Sequence, residues 1–441
     1  MQKKKVYAVS TAHLDTVWRW DLRKTIEEYL PDTLRKNFDL IERYPDYCFN
    51  FEGAFRYQLI EEYYPLAFAE IQNLVKRGNW YPAGACYENG DVNIPSPEAL
   101  FRNILLGNRY FQEKFGVQSK DIFLPDCFGF GQALPSVMKY AGLLGFTTQK
   151  LSWGSAYGVP FTLGYWQGVD GSRVLACPNA RSYRSKFSGD LRGEVSVIDD
   201  VAKNAFEGGL PYAQHLYGTG DVGGAPTEES VQSVCASAAE NEQKDFDVIS
   251  ARSDQIFKDI DALPDSDKDR LPVWNNELLM TSHGAGGYTA RAMGKRLNRQ
   301  CEVLADVAES TLSTAELLGV YTYPQETVTK AWERLIQHQF HDDLPGTSNM
   351  DIYNTGWNDY HTSLVQLQGE YTGAVGAIAN QLDTQWVTDC ALIVHNPLPF
   401  ARTESVEAHV RLNHNGKYLR VLDRDGNELP SQVIRKEGKA F

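Results

Sequence analysis

His13 and Asp15 stand two residues apart in VYAVSTAHLDTVWRW (residues 6–20), where a short β-rich run ends. Side chains of an extended segment alternate faces with period two, so the imidazole and the carboxylate leave the strand end together. Such a pair can chelate a cation, although a buried, hydrogen-bonded histidine with an accidental acidic neighbour is the plain alternative for any isolated HxD. A further acid, Asp126, closes the apolar run of DIFLPDCFGFG (121–131), after Pro125 and before a glycine-rich turn. A further histidine lies in HQFHDDLPGTS (338–348), where a helical pattern meets Pro345 and Gly346. At that point the side chains of His341 and Asp342 can leave the helix and reach a site elsewhere. His338 and His341, three apart, share a helix face and could also bind a metal locally, or serve only as partners of the helix dipole. Combined, His13, Asp15, Asp126 and His341 form a borderline-hard set of two nitrogens and two oxygens. It suits one divalent metal, zinc first, with cobalt or manganese as alternatives.

The elements that must position these groups follow from periodicity. From Lys5 to about Ala290 short apolar strands alternate with amphipathic helices, which is the pattern of an α/β domain. Strands are expected at 6–10, 48–53 and 273–276, and in the stretches opening at Asn79, Asp121, Gly145 and Leu216. Helices are expected at 21–44, 98–115 and 134–143, with another opening at Thr227. WQGVDGSRVLA (166–176) reads as a hairpin around Asp170 and Gly171. Strand ends lead into loops rich in Gly, Asp, Asn or Pro, and in parallel α/β folds such loops build the active site. LYGTGDVGGAPTEE holds Asp221 in a glycine-rich turn that is not a phosphate loop, since no GK[ST] follows. Glu277 follows the strand at 273–276 and precedes the loop SHGAGGYTAR.

Beyond residue 290 the pattern changes to long helices. Leu297, Cys301, Leu304, Ala308, Leu312 and Ala315 make one apolar stripe; Val328, Trp332, Leu335, Ile336 and Phe340 continue a second helix. Trp357, Tyr360, Leu364, Leu367, Tyr371, Val375, Ile378 and Leu382 make a third, and three such helices with short connections read as a bundle. From Ala391 the period becomes two through ALIVHN, SVEAHV and YLRVLD, with Asp425 and Gly426 marking a turn. The expected organisation is a catalytic α/β domain over 1–290, a three-helix bundle over 291–386 contributing a metal ligand, and the start of an all-β domain over 387–441. The last stretch falls well short of the roughly 100 residues of a sandwich, so its strands pack on other domains or the chain is a fragment of a longer one.

Composition narrows the partners. The 441 residues exceed what one hydrophobic core serves, so several domains are expected. With 57 acidic against 43 basic residues the net charge is −14, which argues against nucleic acid or an anionic membrane as partner and is compatible with a neutral substrate. Seven scattered cysteines without a CxxC disfavour a disulfide framework and suit a reducing compartment. MQKKK runs straight into a strand without a signal-peptide core, and no run of about 18 apolar residues occurs. The expectation is a soluble, cytoplasmic protein, with a homo-oligomer left open.

HLDTVWRW, LPDCFGFGQALP, TQKLSW, WQGVDGSRV, GTGDVGGAPT and QFHDDLPGTS occur in this order between residue 5 and about 360. Together they resemble the family 38 glycoside hydrolases, the retaining α-mannosidases, and most of all the branch of vacuolar, cytosolic and bacterial enzymes. The resemblance implies a distorted β/α barrel followed by a three-helix bundle and C-terminal β domains. It implies a metal held by the HxD pair, the nucleophilic aspartate and a bundle histidine, here His13, Asp15, Asp126 and His341. Asp126 would then also attack the anomeric carbon to form a covalent glycosyl-enzyme. By the same resemblance Trp18 packs against the bound sugar, Lys150 is the basic residue near the nucleophile, and Asp221 and Asp342 contact sugar hydroxyls. The plain readings are a core tryptophan, a solvated lysine and acids that cap a turn or a helix.

A retaining enzyme needs a second carboxyl as general acid. Glu277 lies closest to the expected position, with Leu278 and Leu279 beside it to raise its pKa by desolvation, and Asp221 stands second. The implied activity is removal of terminal α-linked mannose from oligosaccharides. A metal-dependent carbohydrate deacetylase, which would use a metal-bound water and form no sugar adduct, is the runner-up. A catalytically impaired sugar-binding fragment is the non-enzymatic alternative. ENGD, between Tyr87 and Val92, and the glycine-rich loop 282–287 depart from the family pattern and are expected to rim the site.

Overall fold

Lys4–Ala12 (β1) is buried from Val6 to its end, as expected of a strand covered on both faces in a parallel sheet. The computed structural model describes residues 2–412 and 419–435. It divides into one unit of Met1–Glu302 with Lys330–Leu364 and another of Val303–Thr329 with Val365–Phe441. The first unit carries, in chain order after β1, the strands β2 (Phe49–Glu52), β3 (Trp80–Ala83), β4 (Asp121–Phe123), β5 (Gly129–Phe130) and β6 (Gly145–Thr147). These are followed by β7 (Gly164–Gln167), β8 (Arg173–Cys177), β9 (Tyr212–Thr219), β10 (Phe246–Ser250), β11 (Val273–Trp274) and β12 (Leu278–Leu279).

Two five-stranded sheets result. In the first, β1 pairs in parallel with β9 along residues 5–12, and its remaining edge is shared by β10 over residues 4–8 and β2 over residues 10–11; β2 then pairs with β3. The second runs β11, β7, β8, β6, β4, parallel except for the β7–β8 hairpin. Single backbone bonds join the sheets: Ala85 N–H donates to the Asp121 carbonyl at 2.8 Å, and Leu216 N–H to that of Ala180 at 2.7 Å. The C-terminal ends of β1, β2 and β9 therefore open into one neighbourhood with the loop after β4. Helices cover the sheets where the sequence signals them. Pro97–Phe115 starts at Ser96, whose hydroxyl accepts from Ala99 N–H, and stops at Gly116 in the left-handed region. The helix after HLDTVWRW begins at the Asp21 cap and carries one π turn, Thr25–Tyr29, anchored by Trp20 Nε1–H donating to Thr25 Oγ1 at 2.9 Å.

Three elements differ from expectation. The strand opening at Gly145 ends at Thr147, and Lys150 sits on the short 3₁₀ turn Lys150–Trp153. The second long helix, Gln325–Gln337, ends before Phe340, because Phe340 and His341 pair with the backbone of Gly90 and Asn89 instead. ALIVHN and SVEAHV form no strand; among the described residues of 387–441 the only ladder is β13 (Val421–Leu422) with β14 (Glu428–Leu429), around the turn at Asp425 and Gly426. Alternating residues become a strand only against a partner, and an isolated two-stranded pair is marginal in water. Among the described residues, this one short pair is what the expected start of an all-β domain shows. The other long helices span Ala292–Leu317 and Met350–Ala379, and the predicted stripe of the first is buried except that Leu304 is half-buried beside a buried Ala305.

Asp121, at the start of β4, is buried with its Oδ1 accepting from Ser119 and Ser253 hydroxyls. Burial, then the nearby Asp254 carboxylate, push its pKa up to about 7. A carboxyl raised in the folded state contributes stability that is present below its unfolded pKa of about 4 and is lost as pH rises through about 7. Asp121→Asn should therefore gain on the unaltered chain by about 1–3 kcal/mol between pH 4 and pH 8, measured by urea unfolding at both. A pH-independent difference would contradict this.

Candidate active site

Each member of the site is delivered by a strand or helix end. His13 follows β1, and its backbone continues the ladder: His13 N–H donates to Thr219 O at 3.1 Å, Asp15 N–H to Asp221 O at 2.9 Å, and Gly223 N–H returns to His13 O at 3.1 Å. Asp126 follows β4, and His341 follows the helix Gln325–Gln337. All four residues are buried, and each offers one ligand atom such that these atoms lie within 4.8 Å of one another.

The hydrogen bonds behind the cluster set its chemistry. His13 Nδ1 meets Glu52 Oε1 at 2.7 Å, and His341 Nδ1 meets the Asn89 carbonyl at 2.9 Å. A carbonyl can only accept, so His341 carries its proton on Nδ1 and turns the Nε2 lone pair inwards. That Nε2 lies 3.4 Å from Asp15 Oδ1 and 3.7 Å from Asp126 Oδ2 and is buried without a hydrogen-bond partner. His13 Nε2 lies 3.1 Å from Asp15 Oδ1. Nitrogen and oxygen lone pairs converging in a buried space fit a divalent cation, with Glu52 and Asn89 as the outer partners that orient ligating histidines. Electrostatics agree. Burial opposes a charge on His13, but Asp15 and Glu52 outweigh it and hold its pKa well above the usual range. Burial likewise opposes ionisation of Asp15, yet His13 and His341 hold it low.

Asp126 is the hinge between this cluster and the rest of the site. Its Oδ1 pairs with the buried Lys150 ammonium and lies 3.3 Å from the Tyr183 hydroxyl, which donates to Asp221 Oδ1 at 2.9 Å. Asp221 also pairs with Arg184 and has a left-handed backbone, φ 71°, rare for a residue with a side chain. Asp342 accepts from Thr347 Oγ1 at 2.5 Å and stands 3.9 Å from His341 Nε2; burial, then the charge of Asp15, push it up to about 7. Trp18 is half-buried, with the Arg19 guanidinium 4.1 Å from its ring centroid. Glu277 lies between β11 and β12, and among the described residues its carboxylate makes no hydrogen bond or ion pair with the cluster. His338 does not join His341 at the metal-like cluster; its two nitrogens meet Asp343 at 2.7 Å and Asp359 at 2.9 Å.

The description "Glycosyl hydrolases family 38 N-terminal domain" matches residues 3–277, and "Alpha mannosidase middle domain" matches residues 283–378. The chain belongs to glycosyl hydrolase family 38. It is 31% identical to Alpha-mannosidase 2C1 of Homo sapiens over 402 residues, covering 90% of the chain and 37% of that protein. Alpha-mannosidase G of Dictyostelium discoideum is also 31% identical, over 86% of the chain and 34% of its own length. The chain thus spans about a third of the curated family 38 relatives it matches. In fold it is similar to an alpha-mannosidase from Enterococcus faecalis V583, at TM-score 0.78 and 20% identity, covering 98% of the chain and 51% of that structure.

Sequence reasoning missed Glu52, Asn89, Tyr183 and Arg184. Glu52 ends β2 as Asp126 follows β4, so the rule that singled out strand-end acids reached it as well; Asn89 lies in the ENGD loop already marked as unusual. Tyr183 and Arg184 lie in a stretch without regular structure and carry no such signal. Because Glu52 orients His13, Glu52→Gln should weaken cation binding by about 10- to 100-fold with little loss of fold, as read by zinc calorimetry after chelator dialysis. Unchanged affinity would remove Glu52 from that role.

Proposed function

We propose that this chain carries the catalytic centre of a metal-dependent, retaining exo-α-mannosidase that removes terminal α-linked mannose from oligosaccharides. The observation that supports it most is the placement of Asp126, one oxygen towards His341 and the His13–Asp15 pair, the other on Lys150 and Tyr183. On this reading the two joined sheets are a distorted barrel and the three long helices a bundle that contributes His341. A cation held by His13, Asp15, Asp126 and His341, zinc first with cobalt or manganese as alternatives, would supply charge stabilisation and a seat for adjacent sugar hydroxyls. Trp18 packs against that sugar, and Asp342 takes its hydroxyls.

In the first step an Asp126 oxygen bonds to the anomeric carbon while the bond to the leaving oxygen breaks, and that oxygen receives a proton from a neutral carboxyl. In the second, water adds to the same carbon, Asp126 departs, and the second carboxylate takes the water proton, so configuration is retained. Lys150 and Tyr183 orient the Asp126 carboxylate. Of the two donors, Asp221 is favoured by the hydroxyl it shares with Asp126, whereas Glu277 is favoured by its position in the chain. All seven cysteines are unpaired, in keeping with a cytoplasmic setting, and among the described residues no helix is long and apolar enough to cross a membrane.

Incubation with a 5-fluoro-mannosyl fluoride followed by peptide mass mapping should place the label on Asp126; an active preparation that stays unlabelled would overturn the mechanism. Asp221→Asn should lower hydrolysis of an unactivated alkyl α-mannoside by about 100-fold or more, far less that of a dinitrophenyl mannoside, with recovery in azide. Should Glu277→Gln give that signature instead, Glu277 is the donor.

A further inference from the structure

Trp153 is 46% exposed, an unusual state for a ring so close to buried charge. Its indole Nε1–H donates to Gln149 Oε1 at 3.2 Å, and Gln149 Nε2–H donates in turn to the carbonyl of Pro125 at 3.0 Å, the residue before Asp126. The Lys150 ammonium that pairs with Asp126 lies 5.4 Å from the Trp153 ring centroid. A second ring, exposed His283, stands 4.7 Å from Trp153 at an interplanar angle of 40°. Its backbone is left-handed, φ 46°, a conformation uncommon for residues with a side chain.

The two rings are clipped together by backbone. Ala156 N–H donates to Leu279 O at 2.8 Å, Thr281 N–H to Gly154 O at 2.9 Å, and Ser282 Oγ–H to Trp153 O at 3.0 Å. Gly154, at φ 130°, permits this: a Cβ there would lie 2.0 Å from Ser282 Oγ. Partial desolvation and the charge of Lys150 keep the His283 imidazole below its usual pKa. The result is a fixed pair of exposed rings beside Lys150, the ion-pair partner of the buried Asp126.

We infer that Trp153 and His283 form a subsite for the leaving group, stacking on the ring of the sugar or aryl unit that Asp126 releases. The inference rests on the glycosidase reading above. A sugar whose anomeric carbon reaches the buried Asp126 carboxylate lies beside it, so the exposed Trp153 and His283 rings meet the part of the substrate that projects towards solvent. Rings fixed in advance gain most of their stacking energy without an ordering cost.

The test uses the zinc-loaded full chain and two glycosides that are not cleaved, phenyl 1-thio-α-mannoside and methyl 1-thio-α-mannoside, titrated by calorimetry. Trp153→Ala should weaken the phenyl compound about tenfold and the methyl compound less than about twofold, with His283→Ala smaller in the same sense and Trp153→Phe restoring binding. Equal loss on both compounds, no loss on either, or no binding of the phenyl compound to the unaltered chain would overturn the subsite. Failure of the glycosidase reading would show separately, as no cleavage of α-mannosyl fluoride by a chain that still discriminates the two thioglycosides.

Discussion

A fully buried ion pair, Arg56 with Glu88, sets the spacing on which the site depends. Arg56 Nη1 donates to Glu88 Oε1 at 2.9 Å, and its Nε donates to the carbonyl of Leu14, the residue between His13 and Asp15. Glu88 accepts from Thr16 Oγ1 at 2.8 Å with one oxygen and from Asn89 N–H at 2.7 Å with the other, and the Asn89 carbonyl holds His341. One guanidinium thus joins the two sides of the four-residue cluster through rigid backbone. Gly53 makes room for it: at φ 84°, a Cβ would lie 2.1 Å from Arg56 Nη1. Removing one partner of such a buried pair typically costs about 3–5 kcal/mol, because the other is left charged and unsolvated.

Around that frame the charges are arranged in compensation. Asp15, Asp126 and Asp342 crowd one buried volume, and Asp221 is tied to it through Tyr183. His13, His341 and Lys150 oppose them from within, and Arg184 from the exposed side. Carboxylates this dense are costly to bury unless cations or protons balance them. The raised pKa values of His13 and Asp342 are two forms of the same response, a proton taken up where negative potential collects. A cation would release those protons, so occupation of the cluster and the protonation of its neighbours are one equilibrium.

What periodicity made legible was the placement of side chains at strand ends. His13, Asp15 and Asp126 were found because period-two strands finish in loops, a property of local sequence that survives folding. His341 was reachable as a residue that leaves a helix, but choosing it over His338 requires knowing that Phe340 and His341 pair with the 88–90 loop, some 250 residues earlier in the chain. Glu52 shows another limit: an acid that joins the four-residue cluster and one that only backs its histidine look alike in sequence, and only the hydrogen bonds of the fold separate them. Tyr183 and Arg184 lie in irregular backbone, where no period exists to read. ALIVHN and SVEAHV are the converse case, a strand-like pattern without a neighbouring strand to complete it. Alternation records what a segment can do, and pairing decides whether it does so.

The division of one β1 edge between β10 and β2, with β9 along the other, has a consequence for how the protein is made. β1 is made before its partners, and its first half stays unpaired until β9 and β10 follow, more than 200 residues later. The strand that delivers His13 and Asp15 therefore waits as an open apolar edge while those residues are added. His341 emerges later still, at elongation rates of about 5–20 residues per second roughly 15 to 65 seconds after His13. Until then the four-residue cluster is incomplete, so an approaching cation would meet only part of it. Contacts of such long sequence separation also place the protein among slow folders, in which the exposed edge is a hazard for aggregation. The architecture that gathers four residues so distant in sequence commits the cell to sheltering β1 until its partner strands arrive.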